Sequence, residues 1–395
     1  MAPEARSIAG RTKAFRFVVL LGIVSLFADM TYEGARSITG PFLGSLGASA
    51  TVVGIVAGFG ELIGYGLRLI SGYISDRTRR YWTITIVGYV INLFAVPVLA
   101  LANRWDIAAA LVMLERLGKA VRTPARDAML SHATHQMGRG WGFGLHEAMD
   151  QAGAMLGPLI VAGILILKGT YREGFAALLV PALLAVVILL AARMLYPTPQ
   201  DLEATSIKSP SAFPGVFWLY LSGVSFIAAG YADYPLIAYH FGHVASIPRD
   251  WIPVFYSIAM GVDALAALLF GYLFDRVGFG ILIGSVFISA AFAPLVFWGG
   301  FWPALAGVVL WGIGMGAQES IMRAAVAKMI ASDRRGTAYG VFNTGYGIFW
   351  FAGSALMGYL YDISIAALVL FSVGAQLLSV PLLWIVRRQW DANPS

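Results

Sequence analysis

Long apolar segments, separated by short polar or Gly/Pro-rich punctuation, run through this 395-residue chain and exclude almost every fold that must face water. A helix needs ~20 mostly apolar residues to cross a bilayer. The sequence supplies twelve such stretches, at about 15–44, 49–75, 81–101, 105–130, 140–168, 172–195, 214–241, 250–274, 278–298, 301–330, 334–362 and 364–387. Charged residues make up only 12% of the chain and hydrophobic ones 59%, whereas an ordinary soluble domain is about a quarter charged. The chain is therefore read as an all-α membrane protein of twelve spans in a lipid bilayer. Its first apolar segment follows Arg6, Arg11, Lys13 and Arg16 but runs far past a signal-peptide core without a small-x-small cleavage pattern. It is read as a retained span.

Composition also removes chemistry. Without cysteine there is no disulfide, thiolate site or thiol nucleophile, and the five histidines lack metal-ligand spacing, so neither cofactor nor metal is expected. No nucleophile–base pair or phosphate loop suggests an enzyme. A pI near 9.5 would suit nucleic acid, but no basic stretch lies outside the loops between spans, where membrane orientation places cationic residues. Loops on one side hold Arg77, Arg79, Arg80, Arg139, Arg193, Lys208, Arg276, Arg334 and Arg335, against Arg104, Lys168, Arg172 and Arg249 on the other. The expectation is a multi-pass protein of the inner (cytoplasmic) membrane with both termini cytoplasmic.

The chain is duplicated. Gly72 to Arg80 (GYISDRTRR) and Gly271 to Gly280 (GYLFDRVGFG) share a Gly-Tyr-x-x-Asp-Arg core at an offset of 199 residues. RGWGFG at Arg139 matches RGTAYG at Arg335, and Gly157 matches Gly353, both at an offset of 196. The one long polar, Pro/Ser-rich connection, Tyr196 to Pro214, falls at the midpoint. This organisation implies a six-helix half over 1–195, a cytoplasmic linker over 196–213 and a second half over 214–395.

A short Asp-Arg loop used once per half resembles the major facilitator superfamily of secondary transporters, and the resemblance covers the whole length. It implies a twelve-helix fold of two pseudo-symmetric six-helix bundles, a solute site between the halves near mid-bilayer, and alternating access. The loop motif implies a conformational latch of Gly72, Asp76, Arg77 and Arg80 with its second copy at Asp275 and Arg276; the alternative is a cluster that only fixes topology. Arg79 departs from the family pattern, which has glycine there. In the fifth span Gly144, Gly153, Gly157 and Pro158 look like the antiporter motif of drug–proton exchangers, although Val161 stands at its last glycine. Ordinary small-residue packing is the other reading.

Ionisable residues inside spans are costly and normally face a cavity or a partner. Asp29, Glu33 and Arg36 lie at i, i+4 and i+7, as do Glu61, Tyr65 and Arg68. Glu115, Lys119, Arg122 and Arg126 form a stripe along the fourth span, with Arg116 beside it. Arg116 matches an arginine of proton-coupled members, and this resemblance implies a cation tuning a proton-titrating carboxylate: Glu33 or Glu61, then Asp29. Permanent structural ion pairs are the alternative. His146, Glu147 and Asp150 read as a proton exit or a cytoplasmic gate against Lys119, Arg122 and Arg126. The second half offers Asp233, Asp263, Gln318, Glu319, Asn343 and Tyr346 as cavity residues, with Arg36, Tyr65, Arg68, Glu115 and Lys119 from the first. Glu319 and Arg323 are spaced to pair, and Tyr256, Trp311 and Trp350 either line the site or pack.

The functional expectation is a monomeric, proton-coupled antiporter that exports a small organic solute. An uptake symporter or exchanger for a small organic anion is the alternative, motivated by Arg36, Arg68, Arg116, Lys119 and Arg122. A non-transporting receptor or scaffold is the alternative of another class. The runs ERLGKAVRTPARDAML and GFGLHEAMDQAGAMLGPL resemble a bacterial and archaeal permease branch of the superfamily, a resemblance that implies fold but no substrate.

Overall fold

The computed structural model describes residues 3–134, 139–197, 213–245, 247–330 and 335–392, without the side chains of 3–13, Asp76, 132–134, 139–143, Arg323, Ala327, 335–337 and 391–392. The described residues are helical and contain no strand. The helices are α1 (Pro3–Ser45), α2 (Ala50–Thr78), α3 (Tyr81–Val98), α4 (Trp105–Thr134), α5 (Arg139–Ile166), α6 (Tyr171–Ala177), α7 (Leu179–Leu195), α8 (Gly215–Gly230), α9 (Tyr234–Val244), α10 (Trp251–Val277), α11 (Gly280–Ala290), α12 (Phe292–Trp298), α13 (Phe301–Met329), α14 (Arg335–Ile363) and α15 (Ile365–Ala392). Ten helical segments among the described residues are long and apolar enough to cross a membrane. Helices α4 and α14 equal them in length. Internal charges lower the hydropathy of α4, and glycines and tyrosines that of α14.

Contacts group the chain into two compact units. One comprises Met1–Ala35, Leu67–Ala102 and Ala110–Thr205; the other comprises Arg36–Gly66, Asn103–Ala109 and Ser206–Ser395. In the first, α5 lies close on α1, because a side chain at Gly153 or Gly157 would overlap the carbonyl oxygens of Leu26 and Met30. In the second, Gly353 of α14 meets the Ala229 carbonyl of α8 in the same way. The repeat pairing of Gly157 with Gly353 is thus a shared packing position, where absence of a Cβ lets two backbones touch. The second unit also holds the α1–α2 turn. Gly54 and Gly58 of α2 press on Ser354 of α14, and Asp362 accepts hydrogen bonds from Ala50 N (3.2 Å), Thr51 N (2.9 Å) and Thr51 Oγ1 (2.6 Å). The carboxylate thereby satisfies donors that the start of any helix leaves open.

The stretch 214–241, read from sequence as one helix, is two. It breaks between α8 and α9 at Tyr231–Asp233, since Pro235 has no N–H to continue the ladder. The freed carbonyls are taken up by neighbours: Ser372 Oγ donates to Gly230 O at 2.6 Å, and Trp311 Nε1 to Ala232 O at 2.9 Å. Non-helical backbone at membrane depth is tolerated when protein groups satisfy it in this way.

Candidate functional site

In the first unit, helical spacing turns the ionisable residues of α1, α4 and α5 into facing stripes. Lys119 Nζ lies 3.7 Å from Glu33 Oε1 and 3.9 Å above the Tyr32 ring. Tyr32 in turn donates its hydroxyl hydrogen bond to Asp29. One turn along α4, Glu115 accepts from Asn92 Nδ2 at 2.7 Å and lies 3.3 Å from Arg116 Nε. Toward the other end, Arg126 bonds Asp127 at 2.8 Å and Ser25 Oγ at 3.1 Å, with Asp150 at 3.8 Å. His146 lies 3.3 Å from Ser25 Oγ and 3.8 Å from Asp150. Glu33, Glu115 and Asp150 each have a cation within 4 Å, as charges held inside spans require.

Arg122 stands apart within that ladder. It is 1% exposed, its guanidinium lies 4.2 Å over the Tyr89 ring, and its Nε and Nη1 have no hydrogen-bond acceptor. An aromatic face offsets part of the cost of such a cation. Its backbone fits there because Gly88 of α3 has no Cβ to collide with it.

The second unit holds a separate polar cluster. Arg36 Nη2 reaches Asp233 Oδ1 at 2.6 Å and Glu61 Oε1 at 3.0 Å, bringing α1, α2 and the break before α9 together. Trp350 Nε1 donates to the other Asp233 oxygen at 3.2 Å. Nearby Tyr346 donates to Gln318 Oε1 at 2.9 Å and packs edge-on against Tyr65, ring centres 5.6 Å apart. Asp263 is buried, Asn343 half-buried, and Glu319 exposed. Trp311 serves the helix break, and Tyr256 packs on Tyr234 at 4.2 Å.

Several pairings differ from the sequence-based expectation. Arg116 lies against its chain neighbour Glu115, while Lys119 is the cation beside Glu33. Asp29, Glu33 and Arg36 share a helix face, yet Arg36 belongs to the second unit and pairs with Asp233 and Glu61 inside it. Of the three cations set against His146 and Asp150, Arg126 makes the contact; Glu147 is exposed. The side chains of Asp76 and Arg323 lie outside the described residues. Within the loop motifs Gly72 lies against Pro124, Arg77 donates to Tyr73 OH at 2.9 Å, and Arg80 is exposed. In the second copy Asp275 pairs with Lys328 at 3.1 Å and Arg276 lies over the Tyr272 ring at 4.3 Å. Gly144 has open space around it, in contrast to Gly153 and Gly157, and Pro158 lies inside α5. Sequence reading passed over Asn92, Tyr32, Tyr89 and Asp362. Asn92 carried a usable signal, as a buried amide in an otherwise apolar span. Among the described residues no group of three or more His, Asp or Glu is placed to hold a metal ion.

Comparison with known proteins supplies the family. The sequence profile described as Major Facilitator Superfamily matches residues 21–354 and 233–393. Uncharacterized protein Rv2265 of Mycobacterium tuberculosis is 42% identical over 382 residues, covering 95% of this chain and 93% of its own. The multidrug resistance protein MdtH of Yersinia pestis is 31% identical over 166 residues, 42% of this chain and 39% of its own. Among solved structures, the nucleoside transporter NupG aligns with a TM-score of 0.72 at 13% identity, covering 95% of this chain and 99% of that one. This last likeness concerns the fold.

Proposed function

The chain belongs to the Major Facilitator Superfamily, a family of membrane transporters, and on that premise we propose that it exchanges protons for a small organic compound that it exports by alternating access. In this reading the two halves, 1–195 and 214–395, are the moving bundles. The protein is a monomer in the cytoplasmic membrane, with both termini on the cytoplasmic side.

The observation that carries the proposal is the placing of carboxylates against cations inside spans: Glu33 against Lys119, and Glu61 with Asp233 on the single guanidinium of Arg36. Protonation removes a carboxylate's charge and frees its cation; ion pairing holds the charge in place. A site of this kind can be neutral toward one side of the membrane and charged toward the other. The partial likeness to a multidrug resistance protein supports export, as does the glycine pattern of α5. Arg122, buried with unsatisfied N–H groups, favours a second reading in which the solute is an organic anion.

The two readings separate by thermal stabilisation of the purified protein against lipophilic organic cations and carboxylates at about pH 6 and pH 8, since a ligand of the native state stabilises it as RT ln(1 + [L]/Kd). Antiport predicts a cation that stabilises more at pH 8, where protons compete less. An anion that stabilises more at pH 6 would replace it with proton-coupled uptake.

A further inference from the structure

Where α2 turns into α3 and α7 ends, Arg79, Arg80 and Arg193 line an open cavity of ≈ 550 Å³ together with Trp82, Leu190 and Met194. We propose that this cavity binds the headgroup phosphate of an anionic glycerophospholipid, with an acyl chain along the outer face of α7.

Charge selects the group. Three guanidinium side chains line the cavity and, among the described residues, no carboxylate does. Among the described residues, neither Arg80 nor Arg193 has an ion-pair partner. Guanidinium forks match phosphate oxygens two at a time, and basic pockets at headgroup level between spans take anionic lipid headgroups.

Shape selects the lipid over a free ion. From the cavity a stripe of exposed apolar side chains runs along α7: Met194 is 82% exposed, Leu190 42%, Val187 62% and Val180 62%. These positions recur at helical spacing on one face. An occupant that fits is anionic at one end and hydrocarbon along the rest. Trp82, whose Nε1 donates to Tyr196 O at 2.9 Å, ties the start of α3 to the end of α7 and so holds the two walls together.

The second repeat is built differently at this turn. Arg79 adopts φ 53°, a left-handed conformation, and its counterpart in the second repeat is Gly278 at φ 71°. Both positions donate their N–H to the carbonyl four residues before, of Ser75 and Phe274, but Gly278 has ψ −149°, a conformation open essentially to glycine alone. A non-glycine residue at the φ of Arg79 costs ~1–2 kcal/mol. In the second copy the counterpart of Arg80 is Phe279, buried against Tyr220, Phe274 and Trp390, where the first repeat has an exposed cation.

The test uses the full chain in mild detergent. Phosphatidylglycerol and phosphatidylcholine binding is measured by native mass spectrometry, for wild type, for Arg79→Gly and for the double variant Arg80→Gln/Arg193→Gln. The expected result is at least about tenfold tighter binding of phosphatidylglycerol than of phosphatidylcholine by wild type, and at least about tenfold weakening in both variants. Arg79→Gly relieves the left-handed strain, so thermal stability should hold or rise while lipid is lost; an effect of misfolding would move both downward. Retention of phosphatidylglycerol by the variants, or no preference over phosphatidylcholine, overturns the proposal. Complete displacement of the lipid by millimolar inorganic phosphate also overturns it, since the cavity would then be a free-phosphate site.

Discussion

The two repeats keep the same backbone devices and spend their polar residues differently. Gly157 and Gly353 make the same close helix contact, and Arg79 and Gly278 both take a positive φ at the end of their helices. Around these shared points the first unit is filled with charges, from Glu33 and Lys119 to Arg126 and Asp150. The second repeat instead surrounds a broken span with aromatic rings, Tyr231, Trp311, Tyr346 and Trp350, and presents Asp233 at the break. Duplication thus preserved what builds the helices, while the buried ionisable groups diverged. Divergence is expected where chemistry differs and packing does not.

Mutation can break this comparison at several strengths. The largest effect should come from Arg36→Leu, which leaves the carboxylates of Asp233 and Glu61 without their shared cation; removing one partner of a buried pair costs about 3–5 kcal/mol. Lys119→Met should cost less, because Lys119 is 3.7 Å from Glu33 and its side chain is 20% exposed against 12% for Arg36. Thermal unfolding in detergent ranks the two, and the reverse order would mean that the first unit's charges are the structural ones.

Next come the shared glycines. Gly157→Ala and Gly353→Ala each place a Cβ onto a carbonyl oxygen of the neighbouring helix and should each cost about 1–3 kcal/mol, by equal amounts within error. Gly144→Ala meets open space and should leave stability unchanged. If Gly144→Ala abolishes transport while stability holds, the α5 pattern has a role beyond packing. The smallest effect belongs to Arg79→Gly, which should stabilise by about 1 kcal/mol, whereas Gly278→Arg should destabilise by about 1–3 kcal/mol, since φ 71° with ψ −149° is open essentially to glycine alone.

Much of this architecture is legible from sequence, because a bilayer punishes every unsatisfied backbone group and every stray charge. Span positions follow from apolar runs, and the pairing of Gly157 with Gly353 from the repeat offset. The break in span seven was missed although Gly230 and Pro235 mark it, since the apolar run continues across it and hydropathy is blind to a local loss of hydrogen bonds. Ionic partners were legible only as helix faces. Spacing puts Glu115, Lys119 and Arg122 on one stripe of α4, but it cannot say that Lys119 turns to Glu33 while Arg122 turns to the Tyr89 ring. Such choices depend on which backbone approaches, and Gly88 and Gly153 decide that from other helices.

Proton release on ligand binding tests the exchange of protons for solute most directly. The purified protein is held in weakly buffered detergent solution with a pH-sensitive dye at about pH 6, 7 and 8, and the organic cation that stabilises it best is added. Exchange predicts that binding expels protons from wild type, and that Glu33→Gln, Glu61→Gln or Asp233→Asn reduces the release while binding persists. Saturable binding with no proton release at any of these pH values, or release unchanged in all three variants, would contradict the claim that these carboxylates carry the coupling proton.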